Sequence, residues 1–275
     1  MTNKLEALRK ALLEKEAKTN SSFTKSTEPS PIYPFWNTPA GKTSLIRLLP
    51  DGDPNNTFFW VERLVINLTF GDGVRAQVPC LEMWDEKCPI LEEVRTWFKD
   101  PSKEQVARSY WKKRSYLFQG FVVADGVGET EKPENPIRRF VVNKTLFETI
   151  KAALMDADME DLPIDYEKGR DFRITVTKRG DYKDYATSGW SMRSRGLTDQ
   201  EKQAIEKYGL FDLKTYLPKK PDPALITEMF RASVAGEDWC QDWGRFFTPS
   251  TKGVVQVSEI FPGEVSLDRM KRKNT

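Results

Sequence analysis

The sequence contains no histidine, and that absence removes much chemistry at once. Ser-His-Asp and Cys-His nucleophile systems, HExxH metal sites and imidazole general bases are all excluded. Catalysis would have to rest on carboxylates, lysine or tyrosine. Cysteine is scarce, three residues in 275, which is too few for a disulfide framework. No run approaches the 18 apolar residues of a membrane span, and the N-terminus MTNKLEALRK lacks the apolar stretch of a signal peptide. We therefore expect a soluble, intracellular protein whose thiols stay reduced.

The chain is 39% hydrophobic and 12% aromatic, enough for a sizeable core, while 31% charge gives a polar surface. A net charge of +2 hides strong segregation. Residues 103–116 carry five basic side chains against one acid, Glu104. Residues 170–195 carry seven basic against three acidic, and between them 156–167 holds six acids and no base. Such local stripes, rather than the total, decide what a surface attracts.

Periodicity predicts a helix over 3–18, with Leu5, Leu8 and Leu12 in one stripe, then the Ser/Thr/Pro linker TNSSFTKSTEPSP. This reads as an arm joined flexibly to the body, or alternatively as a helix packed upon it. Short strands are expected at 42–50, 58–70, 74–80, 116–125, 137–142 and 171–178, with a hairpin at Gly71–Gly73. In DFRITVTK, Phe172, Ile174 and Val176 alternate onto one face. Helices are expected at 91–98, 143–155, about 198–208 and 222–235. The mixture predicts an α+β fold, a β-barrel core with helical additions.

Several motifs carry little. GKT at 41–43 lacks the glycine at 36 and the following helix that a phosphate loop needs. DGDP (51–54) and DADMED (156–161) could gather carboxylates for Mg²⁺, but both sit where turns are needed anyway. The informative constellation interleaves basic and aromatic residues. RSYWKKRSYLF (108–118) holds Lys112, Lys113 and Arg114 beside Tyr110, Trp111 and Tyr116. TKRGDYKDY (177–185) repeats the pattern with Lys178, Arg179, Tyr182 and Tyr185. A single nucleic-acid strand needs cations along its phosphates and flat rings beneath its unpaired bases. The competing reading places the rings in the core and the cations on a solvated face.

SLIRLLP, the paired strands around GDG leading to PC, DEKCP, KKRSYLF followed by VV, FVVNKTLFETI, and PIDYEKGRDFRITV with GDYKDY and SGW recur in one order between Trp36 and Met192. In these motifs the chain resembles the single-stranded DNA-binding, helix-destabilising proteins of T-even-type bacteriophages. The resemblance implies an OB-fold-type barrel over 31–195 with a small inserted subdomain at about 62–110. It is flanked by the arm and linker (1–30), a helical part (196–250) and a C-terminal segment (251–275). It implies that Arg47 and the Lys112–Lys113–Arg114 run contact phosphates, and that Tyr116, Phe140, Tyr182 and Tyr185 line the DNA cleft. Local composition adds Tyr110, Trp111, Arg138, Arg139, Lys144, Lys178 and Arg179 to the expected DNA-binding residues.

The resemblance further implies a non-enzymatic, sequence-nonspecific protein that coats and protects DNA during phage replication, recombination and repair, in the cytoplasm of an infected bacterial host. Its partners would be single-stranded DNA, further copies of itself bound cooperatively, and replication and recombination proteins. A Mg²⁺-dependent nuclease, a protein-interaction module and an RNA binder are the alternatives. The sequence departs from the family in three respects. The family's inserted subdomain holds zinc with one histidine and three cysteines; here Cys80 and Cys88 are remnants of that site, and Leu91 stands at the third cysteine. No zinc and no other cofactor is expected, with an apolar plug of Ile90 and Leu91 in its place. A basic KRKNT run falls at 271–275 rather than in the N-terminal arm. The family's long acidic tail has no counterpart here.

Overall fold

A computed structural model of the protein describes residues 29–180, 182–246 and 250–251. The expected helix at 3–18 and the KRKNT run lie outside the described residues. Ten strands are found among them: β1 (Thr43–Leu49), β2 (Val61–Thr69), β3 (Val74–Pro79), β4 (Lys113–Ala124), β5 (Ile137–Asn143), β6 (Arg170–Thr175), β7 (Thr177–Arg179), β8 (Tyr182–Asp184), β9 (Gly189–Ser194) and β10 (Ser250–Thr251). The helices are α1 (Pro89–Trp97), α2 (Glu104–Tyr110), α3 (Lys144–Leu154), α4 (Asp199–Tyr208) and α5 (Pro223–Ala235). No described helix is long and apolar enough to cross a membrane.

The class is α+β with an antiparallel sheet ordered β10-β3-β2-β4-β1-β6-β9, and β5 pairs with β4. Strand β4 organises the sheet. Along one edge it pairs β5 over Ser115–Phe121; along the other, β2 takes Lys113–Leu117 and β1 takes Gln119–Ala124. The expected closed barrel is not formed. Among the described residues no ladder joins β9 to β10 or to β5; helix α3 instead contacts β4, β5 and β9.

Alternation explains the two faces. Ile46 and Leu48 of β1, Tyr116 and Phe118 of β4, Phe140 and Val142 of β5, and Phe172 and Ile174 of β6 meet Leu146, Phe147 and Ile150 of α3 in one core. Helix α3 starts where it does because the Asn143 side chain accepts the Leu146 N–H at 2.9 Å. On the opposite face Leu49, Phe121 and Ile137 pack beneath Leu197 and Ala204 at α4, while Val61 and Leu117 pack beneath Leu213. Because both faces are covered, these strands read as nearly continuous apolar runs. A second lobe has its own core. Leu64, Ile66 and Leu68 of β2, Val78 of β3, Ile90, Leu91 and Val94 of α1, and Ile226, Met229 and Phe230 of α5 are buried together there.

Candidate nucleic-acid interface

The basic run at the start of β4 is largely tied to carboxylates. Arg114 lies opposite Leu64 of β2, two residues along the strand from Glu62, and its Nε sits 2.6 Å from Glu62 Oε1. Lys112 pairs with Glu82, whose other oxygen takes Arg95 at 2.7 Å. Arg108 pairs with Glu104 within α2. Lys113 is exposed and donates to the Arg108 carbonyl at 3.3 Å; no ion pair engages it among the described residues. Lys144 is exposed next to Asn143, the cross-strand partner of Ser115. Register therefore gathers Lys113, Arg114 and Lys144 at one end of the β2–β4–β5 ladder.

The second basic-aromatic stretch forms a separate hairpin, β7–β8, with Lys178 opposite Lys183 and Arg179 opposite Tyr182. Lys178 and Arg179 are exposed, and Tyr182 is 81% exposed. Lys183 fastens the hairpin to the body by donating to the Trp36 and Thr38 carbonyls at 2.5 and 3.0 Å. Tyr185 is half-buried, edge-on to Phe35 at 6.0 Å, and burial pushes its hydroxyl above the ordinary tyrosine range.

Five of the expected contact residues are buried. Arg47 is wholly buried: its Nη2 donates to the Asp165 and Arg195 carbonyls at 2.7 and 3.0 Å, and Nη1 lies 3.6 Å from Asp171. The backbone packs so closely there that a Cβ on Gly169 would lie 2.3 Å from Arg47 Nη2. Arg138 is buried in an ion pair with Glu129 at 2.8 Å. Arg139 is buried with its guanidinium 3.7 Å from the Tyr216 ring centroid. Phe140 is 0% exposed and Tyr116 4%, both in the sheet core. These side chains hold the fold; none presents its charge or ring face to a strand outside.

Tyr110 and Trp111 are partly buried against the second lobe. Tyr110 packs edge-on to Phe230 and its hydroxyl hydrogen-bonds Ser233 Oγ at 3.0 Å, while Trp111 packs edge-on to Phe98 at 5.2 Å. Sequence reasoning missed an aromatic step at 58–60. Phe58, 56% exposed, lies 4.9 Å from Trp60, which in turn packs 5.3 Å from Phe147 of α3. The signal is the run FFW after a turn, which by pattern alone marks only the beginning of a strand.

Cys80 and Cys88 are free and buried in the same core. The neighbouring Cys88, with burial, holds the Cys80 thiol far above the ordinary range. Cys88 is pulled below it by Cys80 and by N–H groups that include Ile90 and Leu91 at the start of α1. A tetrahedral zinc site does not fit these residues. Glu82 is engaged by Arg95 and Lys112, Ile90 and Leu91 are 0% exposed in the same core, and no group of three or more potential ligands exists among the described residues.

The DGDP carboxylates have structural work. Asp51 accepts the Leu213 N–H at 2.9 Å and the Asn56 amide at 2.6 Å, and Asp53 pairs with Lys214 at 2.7 Å.

Compared with known families, residues 41–224 match the family described as gp32 DNA binding protein like. The matched stretch runs from the residue pair before β1 to the first turn of α5, and so takes in strands β1 to β9, the basic run and the β7–β8 hairpin. No curated protein matches the chain. With two thirds of its length inside that match, the chain belongs to the gp32-like family of single-stranded DNA-binding proteins.

Proposed function

We propose that this protein coats and protects single-stranded DNA, without sequence preference and without catalysis, in phage replication, recombination and repair. The observation that carries the reading is the gathering of Lys113, Arg114 and Lys144 at one sheet end, with exposed aromatics at Phe58 and Tyr182 elsewhere on the surface. Cations of this kind capture phosphates, and exposed rings stack unpaired bases at about 1–3 kcal/mol each. Capturing open strands shifts the duplex equilibrium towards them. The curled sheet with α3 against β4, β5 and β9 is read as an OB-type arrangement left unclosed.

The place of action is the cytoplasm of an infected bacterial host, and the partners are further copies of the chain and replication and recombination proteins. Deleting 271–275 is expected to lower cooperativity while leaving single-site affinity nearly intact. Zinc takes no part: stoichiometric zinc in the purified protein would overturn this.

A fluorescence titration with single-stranded and duplex DNA across a salt series tests the proposal. For about four phosphate contacts, log K should fall against log salt with a slope near −3, taking roughly −0.7 per phosphate. Salt-independent binding, or equal affinity for duplex, rejects it. Labelled oligonucleotide should stay intact with Mg²⁺, whereas a nuclease would shorten it.

A further inference from the structure

Arg63 is buried, 7% exposed, and forms no ion pair with a carboxylate among the described residues. Its Nη2 donates to Gln77 Oε1 at 3.1 Å, and its Nε has no hydrogen-bond partner. The deeply buried Arg47 and Arg138, by contrast, sit beside Asp171 and Glu129. Burial alone lowers the Arg63 guanidinium to about 10. A buried cation left without a counter-charge is destabilising, so its retention calls for a reason.

Register shows what surrounds it. Arg63 lies directly opposite Ser115, Ser115 opposite Asn143, Val65 opposite Lys113, and Asn67 opposite Gln77. Cross-strand partners share a face, so Arg63, Ser115, Lys113, Asn143, Asn67 and Gln77 all lie on one side of the sheet. Among these positions there are two cations, several amide and hydroxyl donors, and no acid. Ser115 Oγ is buried without a partner, directly across from Arg63. Gln77 is held in turn by donating to Asn67 Oδ1 at 3.1 Å, which fixes the acceptor that orients the guanidinium. The apolar half of the same face, Val61 and Leu117, is covered by Leu213.

We propose that Arg63 and Ser115, with Lys113 beside them, form an oxyanion subsite for a backbone phosphodiester of the bound strand. The guanidinium fork matches two phosphate oxygens and the Ser115 hydroxyl donates to one of them. The subsite rests on the DNA-binding reading and extends it from the exposed basic run onto the opposite face from Tyr116.

The test is a salt-resolved single-stranded DNA titration on the full chain and on Arg63→Gln, Ser115→Ala and Lys113→Gln, with a melting curve for each. Arg63→Gln is expected to weaken binding about tenfold and to reduce the slope by roughly 0.7 while its melting temperature holds or rises. Ser115→Ala, which removes one neutral donor, should weaken binding a few-fold with the slope unchanged. Wild-type affinity in both, with Lys113→Gln still lowering the slope, overturns the subsite and leaves the DNA-binding reading standing. A lowered melting temperature in Arg63→Gln together with wild-type affinity in Ser115→Ala also overturns it. If no variant and not the wild type binds, the underlying reading has failed instead. Inorganic phosphate that raises the melting temperature of wild type but not of Arg63→Gln, with DNA affinity unaffected, assigns the site to free phosphate and rejects the phosphodiester.

Discussion

Tyr116 and Phe147 stack face to face, their ring centroids 3.4 Å apart and their planes 11° from parallel. One comes from β4 and the other from α3, so the pair fastens the helix to the sheet. The stack uses the ring face that a DNA base would need. Tyr116→Ala should therefore act on stability, lowering the unfolding free energy by about 3–5 kcal/mol, as other buried aromatic truncations do. Tyr182→Ala should do the reverse. With its ring exposed, it should leave the denaturation midpoint unchanged and weaken single-strand binding by about 1–3 kcal/mol, with the salt slope preserved. Chemical denaturation and fluorescence titration on the two variants separate the cases.

Glu62 competes with phosphate for Arg114. Glu62→Gln should free the guanidinium, tighten single-strand binding at low salt and steepen the salt dependence by about 0.7, one additional phosphate. Unchanged affinity and slope would place Arg114 outside the interface.

Arg47 offers a sharper contrast with the family resemblance. Its replacement by Gln leaves Asp171 buried with one cation fewer, and stability should fall by about 3–5 kcal/mol. In urea-stable conditions the salt slope should match wild type. A variant of normal stability whose slope lost one phosphate would show that Arg47 reaches DNA after all.

Thiol reactivity follows burial rather than acidity. Cys240 is exposed, whereas Cys80 and Cys88 lie in the second core. A disulfide reagent should label Cys240 promptly in native protein and reach the other two only as the protein unfolds. Peptide mass spectrometry after timed labelling reads the order directly.

Asp125 contributes to the acid limb. Burial alone would raise its carboxyl, but the Tyr33 hydroxyl and the N–H groups of Val127, Gly128 and Glu129 outweigh it and leave it below the ordinary range. A carboxyl lowered on folding contributes stability above its unfolded value, near pH 4, and loses it as pH falls through the folded one. Asp125→Asn should cost about 1–3 kcal/mol at neutral pH and flatten the decline below about pH 4, as followed by urea denaturation. Tyr33 carries the opposite sign. Burial pushes it up to about 12, so its contribution holds below about pH 10 and fades as pH rises towards 12.

Local pattern carried most of the secondary structure. DFRITV alternates because Phe172 and Ile174 enter the core while Arg173 stays out, and NKTLFETI begins a helix because Asn143 caps it. Helix α2 went unread because only Ala107 is buried in it, so no apolar stripe announces it. Site residues were harder. Arg47 looks like any surface cation in IRLLP, and its partners are 118 and 148 residues away. Arg63 stood inside an apolar-looking strand, and only the pairing with Ser115 and Gln77 reveals it. Nor does anything in the α5 sequence tell that it joins the core of the cysteine loop.

Strand β4 has a mechanical meaning. Twelve residues long, it spans about 40 Å at roughly 3.3 Å per residue. It acts as a beam: β2 and the second lobe hang from its first half, β1 and β6 from its second. Because β4 is hydrogen-bonded along both edges, one continuous strand, rather than a linker, joins the basic run at its tip to both cores.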